Sequence, residues 1–305
     1  MASSHIEANA LFRVDGMVAV VTGGGSGIGM VMAKALAANG AKKVYILGRR
    51  TEPLADVAKE NPSVLIPVQC DVTSKASLQS AVDTITADAG YINLLVANSG
   101  ILGPIKRWNP AKTISELRKE LFTDFDMEEM TQTFQVNVTG AFFSMTAFLE
   151  LLDAGNKHAV TGKDAFGGPA VGGSDAPMVQ SQIIVTSSIS AYSRMAVSAP
   201  AYASSKAAVM HLTKQASTSL CKYGIRANAL APGLFPSEMA MTLMGERKPE
   251  EEAYENPMFI SARRFGGDEE MAGSLLYLAS RAGAYCNGSA LVMDGGRLSM
   301  IPSSY

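Results

Sequence analysis

The chain of 305 residues contains little cysteine, histidine or tryptophan and no long uninterrupted apolar run. Its three cysteines, Cys70, Cys221 and Cys286, are far apart and odd in number, which argues against a disulfide framework or a cysteine zinc site. The three histidines lack metal-ligand spacing, so no metal is expected. Because no stretch approaches about 18 consecutive apolar residues, we expect no membrane span.

Charge of one sign is also lacking, since 26 basic and 28 acidic side chains leave a formal net charge of −2. This balance gives no field for holding nucleic acid or an anionic membrane, and no basic, aromatic-rich face is evident. The first ten residues lack the basic region and apolar run of a signal peptide, so we expect a cytoplasmic protein. Hydrophobic residues make up 47% of the chain, enough for a sizeable core.

Two periodicities alternate along the chain. Short apolar segments rich in β-branched residues predict buried parallel strands, and segments of helical period lie between them. The alternation predicts an α/β fold, a doubly wound parallel sheet (Rossmann fold) of about seven strands with helices on both faces. The predicted strands are Met17–Thr22, Lys43–Leu47, Val64–Gln69, Asn93–Ala97, Gln182–Thr186, Arg226–Leu230 and Ala290–Met293. The predicted helices are Ile28–Asn39, Glu52–Lys59, Lys75–Asp88, Met127–Leu152, Tyr202–Lys222 and Glu269–Ser280.

The motifs described below follow one continuous order, so we expect a single domain over the whole chain, 1–305, although length alone would allow two. Asp126 and Glu129 predict a capping box at the start of the longest helix. The glycine-rich connection Gly155–Pro177 leads into the fifth strand, which places it away from the strand ends that bind ligands. Of the two alternatives, a surface insertion and a mobile lid, we favour the surface insertion. The stretches that interrupt the alternation are Leu102–Phe125, Gly155–Pro177 and Leu234–Phe265.

A glycine-rich turn directly follows the first predicted strand and opens a helix. Glycines let the chain bend back and let a pyrophosphate approach the backbone, where it meets the free N–H groups and the positive end of the helix dipole. A tight turn without a ligand is the alternative. The strand–turn–helix context favours a dinucleotide site that contains Thr22, Gly23, Gly25, Ser26, Gly27, Ile28 and Gly29.

The end of the second predicted strand favours NADP(H) over NAD(H). NAD-binding proteins usually carry an acidic residue here, which binds the ribose 2′-hydroxyl. Gly48 occupies this position, and Arg49 and Arg50 follow it. Their guanidinium groups can hold a 2′-phosphate through charge-assisted hydrogen bonds. A solvated basic turn is the alternative.

Tyr202 and Lys206 are spaced to lie on one face of a helix. A nearby ammonium lowers the pKa of a phenol from about 10 toward the range useful for acid–base catalysis. The spacing alone is a weak signal, but Ser187 and Ser188 end the preceding strand, where ligands of doubly wound sheets bind. A serine hydroxyl there can hold a carbonyl oxygen while the tyrosine gives it a proton. Asn137 is a polar residue inside an apolar helix, where a structural and a functional role can coexist.

Together these motifs resemble the short-chain dehydrogenase/reductase family over nearly the whole chain, from about Phe12 to Gly296. In composition and length the chain is most similar to fungal members. Where the family commonly has Asn-Asn-Ala-Gly, the first asparagine is replaced here by Ala97. The segments that carry the resemblance are Thr22–Gly29, Cys70–Val72, Ala97–Gly100, Asn137, Ser188, Tyr202 with Lys206, Ala231–Gly233, Arg264–Gly267, Asn287–Gly288 and Asp294–Gly296.

The resemblance implies a role for each matching residue. Tyr202 would be the acid–base residue, and Lys206 would lower its pKa and bind the nicotinamide ribose. Ser188 would orient the substrate carbonyl or hydroxyl. Asn137 would hold a water that relays protons between Lys206 and solvent. The remaining implied contacts are with the cofactor and involve Asp71 and Val72 at the adenine, Asn98 and Gly100 along the cofactor, and Pro232 and Gly233 beside the nicotinamide.

The stretch Leu234–Phe265 corresponds to the substrate-binding loop of the family. Its methionines and other apolar residues predict an adaptable apolar pocket, although half of them would equally well pack against the core. Ile101, Leu102 and Trp108 are expected on the opposite wall. The apolar candidates in the loop are Met239, Met241, Leu243, Met244, Met258 and Phe259.

We therefore expect an NADP(H)-dependent oxidoreductase that transfers a hydride between nicotinamide and a carbonyl or secondary alcohol of a largely apolar small molecule. One alternative is a biosynthetic enzyme of the same fold with dehydratase, isomerase or cyclase chemistry. An NADP-sensing regulator is less favoured, since such proteins can lose the Tyr–Lys pair that is present here. The helices Met127–Leu152 and Tyr202–Lys222 are apolar on more than one face, and family members pair these helices, so a homodimer or homotetramer is expected.

Overall fold

The computed structural model describes residues 6–163, 165–196 and 198–304. Seven parallel strands form one sheet in the order β3-β2-β1-β4-β5-β6-β7. Because the winding direction reverses between β1 and β4, a ligand crevice is expected beyond the carboxyl ends of these strands. The strands are β1 Val18–Thr22, β2 Lys43–Gly48, β3 Leu65–Gln69, β4 Leu94–Ala97, β5 Gln182–Thr186, β6 Arg226–Pro232 and β7 Ala290–Met293.

Helices cover both faces of the sheet, so the predicted Rossmann-type single domain is confirmed. One core contains Leu36, Leu54 and Leu275, and the other contains Ile85 and Phe148. The helices are α1 Ala8–Phe12, α2 Gly27–Ala38, α3 Thr51–Ala58, α4 Lys75–Asp88, α5 Ile114–Arg118, α6 Met127–Phe134, α7 Ala141–Ala147, α8 Leu149–Thr161, α9 Pro200–Ser219, α10 Glu238–Met244 and α11 Asp268–Ala279.

The central strands are buried along their full length, which explains their continuous apolar sequences. Every residue of β1, β4, β5 and β6 is buried, because helices exclude water from both sides of the sheet. All seven strands are where the sequence predicts them, and the ends differ by at most two residues. The largest difference is at β6, which continues past Leu230 to Pro232 and carries the chain further toward the crevice.

The long helix predicted over Met127–Leu152 is not continuous. A π-helical segment, Gln135–Gly140, separates α6 from α7, and Phe148 separates α7 from α8. The side chain of Asn137 in the π segment binds the backbone of another loop, as described below, and π-helical segments of this kind are frequent at functional sites. The predicted capping box is also wrong, because Asp126 accepts from the backbone N–H of Glu128 without a reciprocal bond from Glu129 in the described structure.

The glycine-rich connection is shorter than the predicted stretch Gly155–Pro177, because α8 continues to Thr161. Gly155 lies buried within that helix, where an added Cβ would come within 2.0 Å of the carbonyl oxygen of Ile92. This glycine therefore allows α8 to pack closely against the chain leading into β4, and it does not mark a loop. None of the described residues between 155 and 177 lines either of the cavities described below.

The other two interruptions contain short helices. Residues 102–125 include α5, which begins with a capping box between Thr113 and Glu116, and residues 234–265 include α10, which Ser237 caps. Among the described residues, no helix combines the length and apolarity needed to cross a bilayer. The same residues contain no group of three or more His, Cys, Asp or Glu side chains arranged to hold a metal ion.

Candidate active site

Two adjoining cavities open at the carboxyl ends of the central strands. The larger, about 640 Å³, is lined by the glycine-rich turn, by Ser188, Tyr202 and Lys206, and by the loop after β6. The smaller, about 160 Å³, lies at the ends of β2 and β3. Residues of the glycine-rich turn and of the loop after β4 line both. The fold thus brings Ser188, Tyr202, Lys206 and the predicted dinucleotide site into one crevice, whereas Asn137 is buried and lines neither cavity.

The glycine-rich turn requires glycine for two reasons, its backbone angles and its close contacts. Gly23 and Gly27 have positive φ angles of 68° and 50°. A Cβ on Gly29 would lie 2.2 Å from the carbonyl oxygen of Gly23. In the described chain the side chain of Ser26 makes no capping hydrogen bond to α2, so the first-turn N–H groups remain available to an anion.

Asn98 holds the glycine-rich turn in place from the end of β4. Its backbone N–H and that of Ser99 donate to Oγ1 of Thr22, at 2.9 and 3.0 Å, and its Nδ2 donates to the Thr22 carbonyl at 3.0 Å. These bonds tie the ends of β1 and β4 together where the crevice opens. Asn98 thus supports the strand ends although the adjacent position is Ala97, and it also lines the larger cavity together with Gly100.

Tyr202 lies in the first turn of α9, which begins at Pro200. The Nζ atom of Lys206 lies 5.7 Å from the centre of the Tyr202 ring and donates to the Thr186 carbonyl at 2.8 Å. Burial lowers the pKa of Lys206 to about 8. Burial also raises the pKa of Tyr202, and a hydrogen bond with Ser188 acts in the opposite direction. Ser188 therefore favours the Tyr202 phenolate, and the part predicted for Lys206 in lowering the pKa of Tyr202 stays a prediction.

The two serines at the end of β5 have different partners. The hydroxyl of Ser187 donates to the carbonyl of Lys206 at 2.8 Å and is therefore engaged by the backbone of α9. The hydroxyl of Ser188 accepts from the Ser190 N–H at 3.1 Å and contacts Tyr202. Ser188 is therefore the serine that faces Tyr202, whereas Ser187 is bonded to the backbone of α9 at Lys206.

Asn137 connects three parts of the site from the π-helical segment. Its Oδ1 accepts from the Ile101 N–H at 2.8 Å, and its Nδ2 donates to the Ile101 carbonyl at 2.9 Å and to the Ser205 hydroxyl at 3.0 Å. Both amide hydrogens are thus used within the protein, which leaves one lone pair on Oδ1 for a water. The structural role of this amide is clear, and its part in a proton relay stays a prediction.

The smaller cavity contains the residues predicted to bind the adenosine part of a dinucleotide. Asp71 and Val72 line it together with Arg49 and Arg50. The backbone N–H and hydroxyl of Thr73 donate to Asp71 Oδ1 at 2.9 and 2.7 Å, and these bonds hold the pKa of the Asp71 carboxyl below its usual range. The other carboxylate oxygen has no hydrogen-bond donor among the described residues.

Arg50 reaches across the crevice to the loop that follows β6. Its Nη2 lies 3.1 Å from Oε2 of Glu238 at the start of α10, and both side chains are well exposed. Pro232 ends β6, and a Cβ on Gly233 would lie 2.8 Å from the Cα of Asp294, so glycine allows these loops to approach. Pro232 and Gly233 both line the larger cavity.

The remaining wall of the larger cavity differs in part from the prediction. In the loop 234–265, Met239, Leu243 and Met258 line it, whereas Met244 and Phe259 are buried elsewhere. Met241 is 64% exposed and does not line the cavity either. Half of the six apolar candidates therefore do not reach the cavity. Residues of this wall that the sequence did not single out are Ile105, Arg107, Met195, Arg297 and Ile301.

On the opposite wall, Ile101 and Leu102 line the cavity but Trp108 does not. The Trp108 side chain is 58% exposed, so its predicted position is wrong. This part of the loop has no regular secondary structure, and alternation therefore cannot indicate which side chains point inward. Arg107, the neighbouring residue, takes the inward position.

Comparisons with known proteins agree with this architecture. A family model described as short chain dehydrogenase matches residues 17–161, and one described as enoyl-(acyl carrier protein) reductase matches residues 176–297. Short-chain dehydrogenase/reductase SAT3 of Stachybotrys chartarum is 59% identical over 274 residues, which cover 90% of this chain and 100% of the relative. Momilactone A synthase of Oryza sativa subsp. japonica is 32% identical over 307 residues, 99% and 97% of the two chains. The chain therefore belongs to the short-chain dehydrogenase/reductase family, as its motifs predicted.

Solved structures show the same fold. The Pseudomonas aeruginosa RhlG/NADP active-site complex has a TM-score of 0.74 at 28% identity, and the match covers 94% of this chain and 98% of the chain in that complex. NADPH-dependent 3-quinuclidinone reductase from Rhodotorula rubra has a TM-score of 0.71 at 26% identity, covering 98% and 97%. The family consists of oxidoreductases that bind a nicotinamide cofactor, and the fold and crevice described above define a member of this class.

Proposed function

We propose that the protein is an NADP(H)-dependent oxidoreductase that transfers a hydride between nicotinamide and a carbonyl or secondary alcohol of a largely apolar small molecule. The observation that carries the proposal is the position of Tyr202 on the wall of the larger cavity. There the phenol contacts Ser188, lies near Lys206 and faces the same crevice as the glycine-rich turn. The methionine and leucine side chains on the other walls suit an apolar substrate.

The residues present fit a dinucleotide. The first turn of α2 has no side-chain cap, and Gly23, Gly27 and Ile28 line the larger cavity, so phosphates would meet free backbone N–H groups there. Asp71 and Val72 would hold the adenine, and Pro232 and Gly233 would lie beside the nicotinamide. When bound, the cofactor would supply the hydride donor or acceptor.

The protein's own groups would then handle the oxygen of the substrate. The Ser188 hydroxyl and the Tyr202 phenol converge on the cavity, so both can hydrogen-bond to one carbonyl or hydroxyl oxygen. In the reductive direction Tyr202 donates its proton to the developing alkoxide, and in the oxidative direction it accepts one. The charge of Lys206 stabilises the phenolate that remains after donation. Asn137 keeps the backbone of Ile101 and the start of α9 in register.

The choice of NADP(H) is supported by the residues at the end of β2. Gly48 offers no carboxylate to repel a 2′-phosphate, and the exposed guanidinium groups of Arg49 and Arg50 border the smaller cavity. The solved relatives named above as an NADP complex and an NADPH-dependent reductase are consistent with this preference. Calorimetric titration should give a lower dissociation constant for NADPH than for NADH, and equal constants would contradict the preference.

The direct test of the mechanism is Tyr202→Phe, which removes the transferable proton and keeps the ring. We expect carbonyl reduction to fall by roughly 10²- to 10⁴-fold, because general acid–base catalysis contributes about this much. NADPH oxidation is measured spectroscopically with a panel of apolar ketones. Tyr285→Phe is the matched control, since Tyr285 is fully exposed and outside both cavities.

Near wild-type reduction by the Tyr202→Phe variant would contradict the role given to this phenol. Deuterium supplied on the transferable position of NADPH distinguishes the chemistry itself. Label in the product supports hydride transfer. A product formed without label would favour the dehydratase, isomerase or cyclase alternative.

We further propose that the chain forms a homodimer or homotetramer through α6 to α8 and α9. Several apolar side chains on or near these helices are exposed in the single chain, among them Met127 at 86% and Phe142 at 41%. Burial of such side chains against a second copy would remove them from water. Sedimentation velocity at micromolar concentration checks this, and a monomer alone would contradict it.

A further inference from the structure

The larger cavity carries an excess of positive charge. Its charged lining side chains are Arg50, Lys206, Arg107, Arg297 and Glu238. Glu238 is the single acidic member among the described lining residues, and it pairs with Arg50. Lys206 belongs to the proposed catalytic group and donates to a backbone carbonyl. Two arginines are therefore left without a role in the chemistry proposed above.

Arg107 is the less satisfied of the two. Its Nε is shielded from solvent and has no hydrogen-bond partner among the described residues, and none of the ion pairs there includes its guanidinium. Leaving a buried donor unpaired is costly, more so when the group is charged. The outer Nη atoms of Arg107 also make no hydrogen bond to a described residue, and the side chain lines the cavity, so these N–H groups are the open position for a ligand acceptor.

Arg297 adds to the positive potential from the far side of the loop 234–265. It is 5% exposed, and it donates to the carbonyls of Phe259 and Pro257, both at 2.8 Å. The sulfur atoms of Met258 and Met195 lie 3.3 and 3.7 Å from its Nη2. No carboxylate of the described chain lies within ion-pair distance of this guanidinium. Its charge is offset by the two carbonyl dipoles and, from beyond ion-pair distance, by Glu252 and Asp294.

We propose that the substrate carries a carboxylate and that Arg107 binds it inside the cavity. This inference rests on the proposed function for the identity of the cavity as the substrate site. A guanidinium matches a carboxylate through paired hydrogen bonds, and the apolar side chains of Leu102, Met195 and Met258 strengthen that attraction by excluding water. Arg297 favours the same anion by its charge, because basic side chains outnumber the single acidic one, Glu238, on the described cavity wall.

The test compares acids with their esters. The probes are meta- and para-acetylbenzoic acid and the methyl ester of each, assayed with NADPH on the wild type, Arg107→Met and Lys106→Met. Lys106 is the matched control, because it is the adjacent basic residue of the same loop and does not line the cavity. We expect Arg107→Met to raise KM for the acids by roughly ten- to a hundredfold, to leave the esters within about twofold, and Lys106→Met to change neither.

A second readout does not depend on turnover. Isopropylbenzoic acid lacks the ketone, and its affinity for the protein with NADP⁺ is measured by calorimetry. Loss of this binding in Arg107→Met, with NADPH affinity unchanged, supports the carboxylate site. If the wild type binds the acid in this way but reduces no ketone, the proposed function fails and the carboxylate site stands. Equal KM values for acid and ester in the wild type and in Arg107→Met would overturn the inference while leaving ketone reduction intact. Weaker NADPH binding by Arg107→Met would overturn it as well, by assigning the arginine to a cofactor phosphate.

Discussion

The two ends of the crevice are built in different ways. At the proposed cofactor end, backbone atoms make the part of the site that would hold the phosphates: the turn Gly23–Gly29 follows β1 directly, and Asn98 ties it to β4. At the substrate end, side chains from the loops 101–125 and 234–265 make the wall. Backbone geometry requires particular residues, above all glycine, whereas a wall of side chains accepts many. The cofactor end is therefore the more predictable half, and the substrate end is where relatives of one fold can differ.

Lys206 lies where the two ends meet, and its replacement should have the largest effect. Lys206→Met removes the charge that stabilises the Tyr202 phenolate, so we expect kcat/KM for ketone reduction to fall by roughly a hundredfold or more. Kinetics at saturating NADPH measure this loss. A variant that retained wild-type kcat/KM would show that the charge of Lys206 is not needed at either end.

The same variant has a pH signature in stability. Because the pKa of Lys206 is about 8 in the folded protein and about 10.5 in the unfolded chain, the folded state binds fewer protons between these values. Wild-type stability relative to Lys206→Met should therefore rise with pH, by about 2 kcal/mol from pH 7 to pH 10. Urea unfolding of both proteins at the two pH values measures the difference. A difference that stays constant with pH would show that burial does not disfavour the charged lysine.

A smaller effect is expected from a substitution in the glycine-rich turn at the cofactor end. Gly29→Ala places a Cβ 2.2 Å from the Gly23 carbonyl oxygen, so the turn must shift. Overpacking of this kind costs about 1–3 kcal/mol, and we expect NADPH affinity to fall by about tenfold or more as the phosphate-facing N–H groups move. Calorimetric titration and thermal unfolding measure the two effects.

Gly273→Ala is the control for this change. Gly273 lies in α11, and an added Cβ there meets nothing within 4 Å. Alanine should be neutral or stabilise the helix by up to about 1 kcal/mol, because glycine is a poorer helix former. If both variants bound NADPH as the wild type does, the close approach at Gly29 would not be what shapes the cofactor end.

The contrast between sites built from backbone and walls built from side chains also explains which features were predictable from the sequence. The strands were predictable because β1, β4, β5 and β6 are buried on both faces and read as continuous apolar segments. The glycine-rich turn was predictable because its geometry excludes side chains. Gly155 shows the limit of that argument: a glycine inside a helix that needs close packing has the same sequence signal as a glycine in a loop.

The substrate end was predictable only as a location. The loop after β6 could be assigned to the cavity, but whether Met241 or Met258 faces inward depends on how the loop packs. Arg297 follows the glycines that end β7, and its contact with the carbonyls of residues 257 and 259 joins segments about 40 positions apart. No local pattern encodes such a contact, so Arg107 and Arg297 became apparent as cavity residues only from the fold.

The smallest effect on KM is expected for a substitution at the substrate end. Trp108→Ala removes a large apolar side chain that is 58% exposed and does not line the cavity, so KM for apolar ketones should stay within about twofold of wild type. Leu102→Ala, on the cavity wall, is the comparison and should raise KM severalfold, since a buried apolar contact of this size contributes about 1–3 kcal/mol. Steady-state kinetics on the same ketones measure both. An equal rise in KM for Trp108→Ala and Leu102→Ala would mean that the loop 101–113 closes over bound substrate and brings the indole into contact with it. The substrate end would then be defined by loop motion as well as by side-chain packing.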